Sequence, residues 1–159
     1  MMDNEEYKND IEKLYYCQKN EDIAAINDFC EKYYGKLDIC HIPDLMRMFN
    51  GTASCWEQNE FIVNMLDNIV ENYGQNAVNV IVENTEILVK ERSEECLSSI
   101  LTMILFWNEN LQLDIISPLL SEKKLILELY RKKIYKKMNY IKGDKRKILE
   151  EIVKKMQLL

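Results

Sequence analysis

The sequence predicts an all-α fold, and three observations carry that prediction. The stretch Ser93 to Trp107, SEECLSSILTMILFW, sets Leu97, Ile100, Leu101, Ile104 and Leu105 at helical spacings, while Met103, Phe106 and Trp107 carry apolar surface to further faces. A helix apolar round most of its circumference must be covered on several sides, which calls for at least three further helices. Composition points the same way: 4 Gly and 2 Pro in 159 residues are too few for the turns of an all-β chain, and 47% hydrophobic with 30% charged residues marks a folded protein. Apolar residues elsewhere also recur mostly in steps of three and four. The expected architecture is one domain, residues 1–159, built as an array of about eight or nine antiparallel helices rather than a simple four-helix bundle. The central stretch is far shorter than the ~30 Å hydrocarbon layer a membrane span must cross, so it is read as a core helix of a soluble protein.

Each element follows from its own pattern. Tyr7, Ile11, Leu14 and Tyr15 mark one face of a first helix ending around Lys19, with Glu5, Glu6, Asp10 and Glu12 towards its N-terminal end. Asn20 is the expected N-cap of a second helix carrying Ile23, Ile26, Phe29, Cys30 and Tyr33, and Gly35 supplies its left-handed stop. The fragments EKLYYC (Glu12 to Cys17) and EKYYGK (Glu31 to Lys36) echo each other, which suggests HEAT-like stacked repeats. Leu37 to His41 reads as a connector, Pro43 as the first turn of a short helix through Phe49, and Asn50-Gly51 as an inter-helix turn.

Ser54 to Glu57 reads as a capping box that opens a long helix, with Phe61, Ile62, Met65, Leu66, Ile69, Val70 and Tyr73 on its apolar face and Gly74 at its end. From Gln75 to Arg92 the β-branched residues suit a strand locally, but apolar pairs and helical neighbours favour a helix interrupted near Asn84-Thr85. Ser93 is the expected cap of the central helix; a turn at Asn108 to Asn110 and a short helix from Leu111 to Ser117 follow, stopped by Pro118. Ser121 caps a helix carrying Leu125, Ile126, Leu129, Tyr130 and Ile134 with a basic outer face. Gly143-Asp144 then opens a last helix along Ile148, Leu149, Ile152, Val153 and Met156.

Charge is unevenly spread. The net −6 divides into −14 over residues 1–120 (8 Lys+Arg against 22 Asp+Glu) and +8 over residues 121–159 (13 against 5). An acidic body repels nucleic acid and attracts basic proteins, whereas the basic end either closes on that body or meets an acidic partner. Nucleic acid is therefore a disfavoured partner. The acidic start MMDNEEYKND lacks the basic and apolar regions of a secretory signal, and five cysteines at irregular spacing do not read as a disulfide framework; both suggest a reduced, cytoplasmic protein.

The search for chemistry leaves no catalytic, metal or cofactor site. His41, the single histidine, adjoins Cys40, but sequence neighbours rarely meet across a catalytic cleft, so His41 reads as a linker residue. Metal ligation by Cys40 and His41 lacks two further soft ligands at a recognised spacing. No phosphate-cradling glycine motif occurs, and no small-molecule substrate is implied. The outer face of the helix after Ser54 offers more, because Glu57, Glu60, Asn64, Asp67 and Glu71 step by three or four along it, with Trp56 as an aromatic anchor. Such a stripe suits docking of a basic protein.

The segment LMRMFNGTASCWEQNEFIVNMLDNIVENYG and the later ILTMILFWNENLQLDIISPLL resemble the immunity proteins of bacterial polymorphic toxin systems, in particular the immunity protein 30 family. The likeness covers roughly Asp44 to Leu120 and rests on a turn with a threonine, the long acidic-flanked helix, and Trp107 before an Ile-rich short helix. It implies a non-catalytic cytoplasmic protein that binds and neutralises a cognate toxin. A second expectation, from another class, is a helical-repeat scaffold or regulator that contacts nucleic acid or an acidic protein through its basic C-terminal helices.

Overall fold

Helix is the outcome almost everywhere that apolar residues recur in threes and fours. A computed structural model describes residues 2–19, 22–49, 56–91, 94–105, 118 and 124–157, which among them form nine α-helices, one 3-10 turn and no strand. Helix α1 (Asn4–Lys19) packs on α2 (Ile23–Tyr33), bringing Tyr7, Ile11 and Leu14 into one core with Ile26, Phe29, Cys30 and Tyr33. Asp22, not Asn20, caps α2: its carboxylate accepts the Ala25 N–H at 3.0 Å, because a cap must sit immediately before the first helical residue. EKLYYC lies within α1, whereas EKYYGK runs off the end of α2 through Gly35, so the echo does not mark equivalent positions of a repeat.

The expected connector contains a 3-10 turn (Ile39–His41) that runs directly into α3 (Ile42–Arg47), with Pro43 in its first turn. Helix α3 stops two residues short of Phe49, yet Met48 and Phe49 remain buried. Helix α4 (Trp56–Tyr73) buries Ile62, Met65, Leu66, Ile69 and Val70 as expected, but Tyr73 in its last turn is 42% exposed. The Asn50-Gly51 turn and the Ser54 cap lie outside the described residues.

Gly74, at φ 54°, separates α4 from α5 (Gln75–Glu83), and Asn84 divides α5 from α6 (Thr85–Glu91). The β-branched run is helical because Ala77, Val78, Ile81 and Val82 fall on one buried face. Helix α7 (Cys96–Leu105) buries Cys96, Leu97, Ile100, Leu101 and Met103. It is not apolar all round, since Ser98 and Thr102 form an exposed strip one turn apart. Its expected cap Ser93, its expected end at Phe106 and Trp107, and the short helix at 111–117 lie outside the described residues, as does Ser121.

Helices α8 (Lys124–Met138) and α9 (Asp144–Gln157) complete the described chain. In α8 the buried row is Ile126, Tyr130 and Ile134; Leu125 stands off that row and is 65% exposed, contrary to its expected place on the apolar face. Neighbouring packing runs α1 on α2, α2 on α4, α4 on α7, α7 on α8 and α8 on α9. Helices α3, α5 and α6 pack on one another, on α4 through α3 and α5, and on α7 through α6. One hydrophobic cluster draws on every helix from α1 to α9. No helix among the described residues is long and apolar enough to cross a membrane.

Candidate docking groove and its surroundings

The four-, three- and four-residue steps from Glu60 to Glu71 keep Glu60, Asn64, Asp67 and Glu71 on the side of α4 away from its buried row. Glu60, Asn64 and Glu71 are exposed and Asp67 is half-buried. The packing of α4 on α7 places the first part of this stripe beside a groove of about 360 Å³. Glu60, Asn64 and Asp67 line one wall, Ser99 and Thr102 the other, with Val63 and Met103 adding apolar surface. Glu71 stands beyond the groove. The backbone of α4 begins at Trp56, but the side chains of Trp56 and Glu57 lie outside the described residues. Sequence reasoning missed the α7 wall, because Ser99 and Thr102 looked like interruptions of an apolar helix.

The basic C-terminal end closes partly on the acidic body. Lys132 donates to Glu94 at 3.0 Å, and Lys133 pairs with Glu95 at 2.6 Å and Glu94 at 3.6 Å. Lys136 reaches Glu95 at 4.0 Å. The ammonium groups beside them hold both carboxyls below the usual glutamate range, chiefly through the Lys132 hydrogen bond at Glu94 and the Lys133 hydrogen bond at Glu95. Lys133 is only 3% exposed, a burial that its residue type does not announce. Lys137 donates to Thr102 Oγ1 at 2.7 Å, which ties α8 to the rim of the groove, and its own burial lowers its pKa.

His41 lies in the connector, as expected, and is buried there. Its Nδ1 accepts the Asp38 N–H at 3.1 Å while the Asp38 carboxylate accepts the Cys40 N–H at 2.9 Å, a reciprocal cap on the 3-10 turn. The Tyr7 ring meets the imidazole edge-on, with centroids 4.8 Å apart. Cys40 Sγ lies 3.5 Å from Nδ1, but the neighbouring Asp38 carboxylate and burial push the thiol up to about 11. A Cys–His nucleophile needs the reverse, a depressed thiol pKa. Cys30 is pushed up to about 12 by burial alone.

No protein-family profile, no curated protein and no solved structure matches this chain.

Proposed function

We propose that this chain is an immunity protein that binds a cognate toxin domain with a basic surface in the cytoplasm and occludes its active site without chemistry of its own. The observation that carries this reading is the groove between α4 and α7, where Glu60, Asn64 and Asp67 stand beside the apolar surface of Val63 and Met103. Glu60 and Glu71 form no ion pair among the described residues, so their charge is available to a partner. Carboxylates beside an apolar strip suit a basic, amphipathic surface: charge steers the encounter, and burial of the strip holds the complex. The sequence resemblance to the immunity protein 30 family supports the same role.

The test is co-expression and co-purification with the toxin domain encoded beside this chain. Wild type should suppress toxicity and form a complex whose association rate falls steeply with salt. The double reversal Glu60→Lys, Asp67→Lys should slow association at low salt by about tenfold or more. Protection with an unchanged rate in the double variant would move the interface elsewhere; absence of both complex and protection would end the immunity reading.

The scaffold alternative draws on the basic residues of α8 and α9. Pairing of Lys132, Lys133 and Lys136 with Glu94 and Glu95 leaves less positive charge for nucleic acid than the sequence count suggests.

A further inference from the structure

Away from the groove, the turn between α2 and α3 gathers three different donor types. Asp38, Cys40 and His41 each offer a ligand atom, and these atoms all lie within 4.8 Å of one another. Asp38 Oδ1 is 2.9 Å from His41 Nδ1, and Cys40 Sγ is 3.5 Å from the same nitrogen. A tetrahedral zinc ion, with its sulfur bond of ~2.3 Å and nitrogen and oxygen bonds of ~2.0–2.2 Å, holds sulfur and nitrogen about 3.5 Å apart, as they stand here, and oxygen and nitrogen about 3.3 Å apart, so the Asp38 carboxylate moves back by a few tenths of an ångström to bind. We infer that this turn is a binding site for a zinc-class divalent cation, held by the Asp38 carboxylate, the Cys40 thiolate and the His41 imidazole with solvent completing the shell.

The local fold explains why four residues suffice. A 3-10 turn closes i to i+3, which brings residues 38 and 41 to the same side, and the Cys40 amide bond to the carboxylate keeps Asp38 over them. The edge of the Tyr7 ring restricts the imidazole. Cys40 is exposed, so a cation enters from solvent without opening the core. One sulfur and one nitrogen beside one carboxylate favour zinc or cobalt over magnesium or calcium, which take oxygen ligands.

Binding breaks the Cys40 S–H bond, sends its proton to the buffer and forms a metal–sulfur bond with no change of oxidation state. The cation also takes the Nδ1 lone pair that now accepts the Asp38 N–H, so that backbone bond is given up. None of this depends on the docking groove, which is built from other helices.

Cobalt is the probe. The full chain, kept reduced with a non-chelating phosphine, is titrated with Co²⁺ and followed by absorption. One equivalent should give the visible bands of tetrahedral cobalt together with a near-ultraviolet thiolate-to-cobalt charge-transfer band, and zinc should displace both. Cys40→Ser, at an exposed position that leaves the fold intact, should abolish the charge-transfer band. It should also weaken zinc binding by about tenfold or more in competition with a chromophoric chelator. Asp38→Asn should weaken zinc while the charge-transfer band persists at higher cobalt. No charge-transfer band in the wild type, or the same band in Cys40→Ser, overturns the assignment.

Discussion

At the scale of single residues, the buried Lys133 is the side chain whose environment departs most from its type. It is buried on α8 along with Ile126, Tyr130 and Ile134, while its ammonium meets Glu95, itself 56% exposed. Lys133→Ala removes both packing and pairing and should cost about 2 kcal/mol, whereas Lys133→Met keeps the stem and should stay within about 1 kcal/mol of wild type. Urea unfolding midpoints decide it; equal losses would mean that the charge, not the stem, matters. The pairing also has a pH signature. Glu95 is held below its ordinary value of 4.5, so its contribution is present above that pH and is lost as pH falls through the lower folded value. Stability should therefore drop in that acid window, and Glu95→Gln should flatten the drop. A buried pair, Thr85 Oγ1 and Tyr130 OH at 2.7 Å, joins α6 to α8 across 45 positions. Tyr130→Phe should cost about 1 kcal/mol by the same measurement, and no change would show the bond to be energetically silent.

Elements were legible where pattern and punctuation agreed. The buried rows of α4 and α9 follow from spacing, because an apolar residue every three or four positions can be buried only on one helical face, and the break at Asn84 falls where it was expected, near Asn84-Thr85. Ends were harder to place. Asn20 and Asp22 are both competent caps by type, and the choice falls on the one whose carboxylate reaches the third amide of the helix. Asp22→Ala should lower stability by about 1 kcal/mol, while a similar loss at Asn20 would mean that α2 begins earlier. Leu125 and Tyr73 show the converse limit: both belong to apolar patterns at a helix end, where no neighbouring described helix covers them.

For the whole molecule, the bipolar charge distribution is in part a matched pair. Glu94 and Glu95, in the turn before α7, take up lysines of α8, and Lys137 joins the same α7–α8 contact through Thr102. Wild type should therefore be held only weakly on heparin near physiological salt, and Glu94→Gln with Glu95→Gln should increase retention by uncovering those lysines. Strong wild-type retention would favour the scaffold reading. The acidic stripe of α4 behaves differently, because among the described residues Glu60 and Glu71 pair with no lysine or arginine, and Glu60 lines a groove.

The sequence by itself determined the helical class and most of the buried faces, along with the acidic stripe of α4, since each depends only on residue type and a short period along the chain. Only the tertiary structure decided that Ser99 and Thr102 wall a groove with Glu60 and Asp67, and that Lys133 is buried. It also brought Asp38 to the pair Cys40 and His41. These are outcomes of which helix packs on which and of one tight turn, and no period along the chain encodes distances across space.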